Sequence, residues 1–249
     1  MKTIAITGKG GTGKTAVTAL LIKYLTEGDN TILAIDADPD TNLPAALGDT
    51  VEKTVGEMRE SLLEERDELP PDIDKKSLLE GKIYSVLVER PRYDLLVMGR
   101  PEGPGCYCYA NDLLRGIMDR IVKNYEITII DTAAGLEHLS RGIIRDVTDL
   151  LVVTDGSRRG LETAERIRDL VAELDLKIDN LYVVLNKVTD TNRERLQEYA
   201  NELDLKVVGM IPFDDNIARF DLEGLPLAGL PEDSLSVIEV AKIAEKIGL

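Results

Sequence analysis

The chain is poor in sulfur, in positive charge and in long apolar runs, and each shortage excludes something. It holds two cysteines among 249 residues. That is too few for the disulfide framework of a small secreted domain, so a reducing cytoplasm is the expected compartment. Lysine and arginine total 30 against 46 aspartates and glutamates, a formal charge of −16. A surface that acidic repels phosphate backbones and argues against non-specific nucleic-acid binding. No stretch reaches the roughly 18 uncharged apolar residues of a membrane span. The apolar start, residues 1–7, runs directly into glycines and is too short for a signal peptide. What is there, 43% hydrophobic and 31% charged residues, is ordinary for a globular protein long enough to bury a sizeable core.

Apolar runs of strand length alternate with helical patterns along the whole chain. Strands are expected at Lys2–Thr7, Thr31–Asp36, Asp94–Met98, Thr128–Asp131, Leu150–Thr154, Leu181–Asn186 and Val207–Ile211. Their Ile, Val and Leu fall on consecutive positions, as in strands covered on both faces. Helices are expected between them, at Lys14–Thr26, Tyr109–Asn124, Leu161–Leu174, Arg193–Leu203 and Leu235–Ile247. This alternation predicts an α/β fold: a doubly wound, mostly parallel sheet with helices on both faces, spanning residues 1–249 as one domain. Residues 51–93 break the rhythm and are expected to form an insertion over one sheet edge. They hold a helical stretch at Val55–Arg66 and, as an equal alternative to mixed structure, an antiparallel edge strand at Ile83–Val88.

Gly8-Lys9-Gly10-Gly11-Thr12-Gly13-Lys14-Thr15 follows the first strand and opens the first helix, the context a phosphate-binding loop requires. Gly10, Gly11 and Gly13 permit the tight turn and, with Thr12, let N–H groups converge on a phosphate at a positive helix end. Lys14 would reach the β- and γ-phosphates of ATP or ADP, and the Thr15 hydroxyl would take one place on Mg²⁺. Asp36 and Asp131 end strong strands, where ligands gather in open parallel sheets. Carboxylates there can hold Mg²⁺ through its waters, or can simply cap turns. Asn186 ends a late strand, and its amide can pair with a purine through one donor and one acceptor. Position 189 is Thr189, so the acidic residue of the guanine signature is missing and adenine is favoured. Pro212, in Ile211-Pro212-Phe213, either lines the base pocket or forms a packing turn.

Lys9 exceeds what the minimal loop needs. With it, the loop resembles the deviant phosphate loop of ATPases related to nitrogenase iron protein and to septum-placement and chromosome-partition ATPases. The resemblance implies a homodimer in which Lys9 acts on the partner's nucleotide. It also implies that Asp36 and Asp131 belong to the metal shell and that Asp38 orients the attacking water from a first switch, Asp36–Asp40. Asp131-Thr132-Ala133-Ala134-Gly135 looks like the second switch.

Both cysteines fall in Gly103-Pro104-Gly105-Cys106-Tyr107-Cys108-Tyr109. Core packing, redox exchange and metal binding all remain open for them, although flanking Gly, Pro and Tyr disfavour a core position. A disulfide across so small a ring would be strained. Two thiolates fill half of a four-coordinate soft-metal site. The sole histidine, His138, would make a third ligand in one chain, and two copies of the loop would make four thiolates. This Cys-x-Cys loop, with Gly135-Leu136-Glu137-His138, resembles the carbon monoxide dehydrogenase maturation ATPases, the CooC family. That resemblance runs from the first strand to the last helix. It implies a dimerising ATPase that holds Ni²⁺ or Zn²⁺ on Cys106 and Cys108 across the dimer and serves apo carbon monoxide dehydrogenase. Three alternatives remain: a partition or septum-placement ATPase, an iron–sulfur ATPase like nitrogenase iron protein, and a nucleotide-gated adaptor without turnover.

Overall fold

The computed structural model describes residues 1–64, 81–100, 120–134 and 146–249. Eight strands form one sheet: β1 (Lys2–Thr7), β2 (Ile32–Ala37), β3 (Val88–Glu89), β4 (Asp94–Val97), β5 (Ile127–Thr132), β6 (Asp146–Asp155), β7 (Lys177–Val188) and β8 (Val207–Pro212). Their order is β3-β4-β2-β5-β1-β6-β7-β8, and every pair is parallel except β3 with β4. The sheet is therefore the mostly parallel, doubly wound one that the sequence predicts.

Consecutive apolar residues are the consequence of burial on both faces. In β2, Leu33 and Ile35 join one apolar cluster while Ile32 and Ala34 join the other; in β6, Leu150 and Val152 oppose Leu151 and Val153. Helices α1 (Lys14–Leu25) and α7 (Leu235–Lys246) cover one face through Leu20, Leu21, Ile22, Val240 and Ile243. The other face is covered by α3 (Val55–Glu64), α4 (Arg158–Glu173) and α5 (Arg193–Glu202), through Val55, Met58, Leu161, Ile167 and Leu196. Short α2 (Leu43–Leu47) follows β2, and α6 (Asp215–Glu223) follows β8. β1 lies between β5 and β6; the helix after β1, α1, lies on one face and the helix after β6, α4, on the other. The crevice beyond the carboxyl end of β1 is thus where an open sheet of this kind takes ligands.

Several elements differ from expectation. β6 and β7 each begin four residues early, at Asp146 and Lys177, because polar Asp149 and Asn180 sit inside the ladder. Asp149 is fully buried and accepts from Asn180 Nδ2 at 2.9 Å and from Lys2 Nζ at 3.2 Å. The antiparallel edge strand is only Val88–Glu89; Ile83 lies instead in a helical turn, with its side chain in the core. In the expected Tyr109–Asn124 helix, residues 120–121 are helical and Val122–Asn124 form a 3-10 turn. The remainder of that helix lies outside the described residues, as do residues 65–80 of the insertion. α6 is not among the expected helices, although it is amphipathic, with Ile217 and Phe220 packed into the core. It is fixed by Asp214, whose carboxylate caps it at Asn216 N and also accepts from Ser236 N at the start of α7.

α7 lies so close on β8 that a β-carbon at Gly209 would overlap the Ile243 side chain. Gly209→Ala is expected to lower unfolding stability by about 1–3 kcal/mol through overpacking, measured as a shifted urea midpoint with unchanged slope.

Candidate nucleotide site

The loop between β1 and α1 is held in place by conformation before any side chain acts. Gly8 has φ 145, and a β-carbon there would run into the Val153 carbonyl of β6. Gly13, at φ 92, caps α1 in the left-handed region and lies against the Asn186 amide. No acidic residue occupies the first turn of α1, so the helix end keeps its positive character for an incoming anion. The Lys9 carbonyl turns back into the loop, where it accepts from Thr12 Oγ1 at 2.9 Å and Lys14 Nζ at 3.4 Å. Lys14 is buried in this cradle, whereas the Lys9 side chain is exposed and has no ion pair among the described residues.

Beneath the loop stand two carboxylates. Asp36 and Asp131 are paired in register at the ends of β2 and β5, and both are fully buried. Asp131 accepts from Thr15 Oγ1 at 2.7 Å and from Thr18 Oγ1 at 3.3 Å. Burial pushes its pKa up to about 7; the Thr15 bond opposes the shift, neighbouring Asp36 adds to it, and Lys14 opposes it. Asp36 accepts from the backbone N–H of Asp38 and of Leu43, each at 3.0 Å. Desolvation lifts its pKa to about 6 against those two bonds. Adjacent buried carboxylates, with Lys14 as their nearby cation, lack positive charge. Together with the Thr15 hydroxyl they form a hard-oxygen donor set that fits Mg²⁺ held largely through its waters. Among the described residues no group of three or more His, Cys, Asp or Glu could hold a metal by itself.

Asp38 accepts from Asp40 N at 3.0 Å, and its carbonyl accepts from Thr41 N. Thr41 has φ 49, an unusual conformation for a β-branched residue and one that clusters at functional loops. Arg100 clasps this segment from outside, pairing with Asp40 at 2.9 Å. Asn186 is buried at the end of β7; its Nδ2 donates to the Thr12 carbonyl at 2.8 Å and its Oδ1 accepts from Lys187 N at 2.9 Å. Pro212 is half-buried opposite Val188, and Phe213 beyond it is exposed.

Lys9, Lys14, Thr15, Asp36, Asp38, Asp131 and Asn186 therefore gather at one crevice. Thr18, Arg100 and Lys187 join them without having been singled out. Thr18 was legible, since it lies three residues from Thr15 on the same helix face. Cys106, Cys108, His138 and the second-switch residues from Gly135 onward lie outside the described residues.

The profile of the CobQ/CobB/MinD/ParA nucleotide-binding domain matches residues 3–227. The chain is 53% identical over 246 residues to an uncharacterized ATP-binding protein of Methanocaldococcus jannaschii, covering 98% of this chain and 97% of that one. It is 32% identical over 234 residues to the carbon monoxide dehydrogenase accessory protein CooC of Rhodospirillum rubrum, covering 89% and 88%. In fold it is similar to the MinD cell division protein of Aquifex aeolicus, with a TM-score of 0.72 and 20% identity over 99% of this chain and 96% of that one. The chain belongs to the CobQ/CobB/MinD/ParA family of nucleotide-binding proteins.

A carboxyl whose pKa rises on folding costs stability once the pH exceeds its unfolded value of 3.8, and the full cost is reached above about 7. Asp131→Asn is therefore expected to stabilise the nucleotide-free protein by up to about 4 kcal/mol at pH 8, a gain that fades toward pH 4. The same variant should lose Mg²⁺-dependent nucleotide binding. Thermal unfolding across pH and calorimetric titration with ADP in the presence and absence of Mg²⁺ check both halves.

Proposed function

We propose that this member of the family is a dimerising ATPase that uses ATP binding and hydrolysis to handle a soft divalent metal for maturation of carbon monoxide dehydrogenase. The observation that carries the ATPase half is the Thr15–Asp131–Asp36 constellation under the loop, where buried carboxylates lack a cation. Phosphoryl transfer depends mostly on positioning and on meeting the charge that develops on the γ-phosphate. Lys14 and the N–H groups of the loop meet that charge from one side, and Lys9 of a second copy meets it from the other. Mg²⁺ on Thr15 and the carboxylates would neutralise the β- and γ-oxygens. Asp38 holds the attacking water in line; the water's oxygen bonds to the γ-phosphorus as the bond to the β-phosphate oxygen breaks, giving ADP and phosphate. Asn186 reads adenine, beside Pro212.

The metal half rests on Cys106 and Cys108 and on the 32% identity to the CooC accessory protein. Two copies of the loop supply four thiolates to one Ni²⁺ or Zn²⁺ ion, which is the cargo. Thiolates must lose protons to bind, so the ion is held less well as pH falls. If ATP draws two copies together, it also brings the two cysteine loops together, and linkage makes the effect reciprocal. A second reading, a partition or septum-placement ATPase, is supported by the family profile and by the MinD fold. Such a protein needs a DNA- or membrane-binding surface. In α7, Val240, Ile243 and Ala244 are spent in the core, whereas Leu235 and Ile238 are exposed; no helix among the described residues is long and apolar enough to cross a membrane.

The test is sedimentation with metal analysis on anaerobically purified protein, in nucleotide-free, ADP and ATP-analogue states. One ion per two chains is expected, tightest with the ATP analogue and lost in Cys106→Ser/Cys108→Ser. Lys14→Ala should lower ATP turnover by at least about a hundredfold. One ion per chain, surviving loss of both cysteines, overturns the metal half. A nucleotide-dependent dimer that binds no ion favours the second reading.

A further inference from the structure

A phosphate loop binds through inward N–H groups, so those of its carbonyls that point outward need partners there. Two carbonyls find them on consecutive residues at the end of β7. The Gly11 carbonyl accepts from Lys187 Nζ at 3.1 Å, and the Thr12 carbonyl accepts from Asn186 Nδ2 at 2.8 Å. No peptide bond among the described residues is cis, and in a planar trans unit the C=O and N–H point in opposite directions. Fixing the Gly11 carbonyl on Lys187 therefore aims the Thr12 N–H away from β7. Fixing the Thr12 carbonyl on Asn186 does the same for the Gly13 N–H. Both donors are turned to the side on which the loop cradles phosphate.

Lys187 reaches the loop through an unusual backbone. Its φ is 57, in the left-handed region, and the β7–β8 ladder is irregular between Leu185 and Val188. Its own N–H is tied to Asn186 Oδ1 at 2.9 Å, which turns the side chain back over the loop. Non-glycine residues hold such a conformation where the surroundings over-determine it, and these places cluster at functional sites. The side chain contributes nothing to the core, being exposed, and no carboxylate among the described residues pairs with its ammonium. A cation on the carbonyl also polarises that peptide, which makes the Thr12 N–H a stronger donor.

We propose that Lys187 is a positioning residue for nucleotide: through the Gly11 carbonyl it holds the phosphate loop, before any ligand arrives, in the arrangement that receives the β-phosphate of a nucleoside di- or triphosphate. The proposal rests on the nucleotide-binding reading of this site and adds a residue to it that touches neither phosphate nor base. Asn186 then has two duties, steadying the loop through its Nδ2 and offering its remaining donor and acceptor to the purine.

The experiment compares wild type, Lys187→Met and Lys187→Arg by calorimetric titration with MgADP and by steady-state ATP hydrolysis. Lys187→Met should raise the Kd for MgADP and the KM for ATP together, by about tenfold, with kcat within about twofold. Lys187→Arg, which keeps the charge and the donor, should recover most of that loss. Amide exchange at Thr12 and Gly13 in the nucleotide-free protein should quicken in the methionine variant alone. Unchanged MgADP affinity in a folded Lys187→Met overturns the proposal, and so does a loss confined to kcat. Failure of wild type itself to bind MgADP removes the nucleotide reading instead, whatever Lys187 does.

Discussion

Two carboxylates buried side by side on neighbouring strands, Asp36 and Asp131, are the constraint around which the rest of the crevice is arranged. Left alone such a pair would be strongly unfavourable, because each loses hydration and each repels the other. The chain offsets this with donors, and every donor it uses belongs to a part of the site. Asp131 is met by Thr15 and Thr18 on α1, so the helix that carries the phosphate loop is pinned to β5. Asp36 is met by the N–H groups of Asp38 and Leu43, so the segment between β2 and α2 is looped around it. The offset is incomplete, as pKa values of about 6 and about 7 show. In the proposed function this incompleteness is useful: the residual demand for positive charge would make the place receptive to a divalent cation arriving with nucleotide.

The loop above them is shaped from both sides. Within it, Gly8 and Gly13 adopt conformations that leave no space for a β-carbon. From outside, Asn186 and Lys187 take two of its carbonyls. Conformational freedom is thereby removed in the folded chain instead of being lost when phosphate binds, which is how preorganisation raises affinity. The segment that follows β2 is fastened differently. It is tied to Asp36 within and to Arg100 at the surface, and it contains the left-handed Thr41. Its exposed clasp is a weak one by the general standard of surface ion pairs, so this segment is the easier of the two to rearrange.

Much of this was legible in the sequence for a physical reason. A phosphate loop is encoded by glycines at positions where the backbone demands them, and strands covered on both faces are encoded by consecutive branched residues. Both signals are local. The starts of β6 and β7 were missed because their hydrogen bonds depend on Asp149 meeting Lys2 and Asn180, residues distant in sequence from one another. α6 was missed although its signals, the Asp214 cap on Asn216 N and the apolar pair Ile217 and Phe220, are local. Lys187 was visible only as the residue after Asn186. Its role at the loop needs a left-handed φ and a register irregularity, and neither has a residue-type signature when the residue is lysine.

By net charge alone, a chain of −16 is a poor receptor for a polyphosphate. Distance removes the difficulty. At physiological ionic strength the screening length is about 8 Å, so acidic groups across the sheet or on outlying helices contribute little inside the crevice. What acts there is local: Lys14 within the loop, Lys187 on its outer carbonyl, Lys9 exposed at its rim, and the unopposed amino end of α1. Of the carboxylates close enough to matter, Asp36 and Asp131 sit below the loop, where they bear on the cation, and Asp38 lies beside Asp36. In the proposed function, nucleotide bound to Mg²⁺ would satisfy both demands at once, anion to loop and cation to carboxylates, whereas either partner alone would meet only one. The same separation lets the outer surface remain acidic, which favours solubility and disfavours stray polyanions, without weakening a site whose attractions are all short-range.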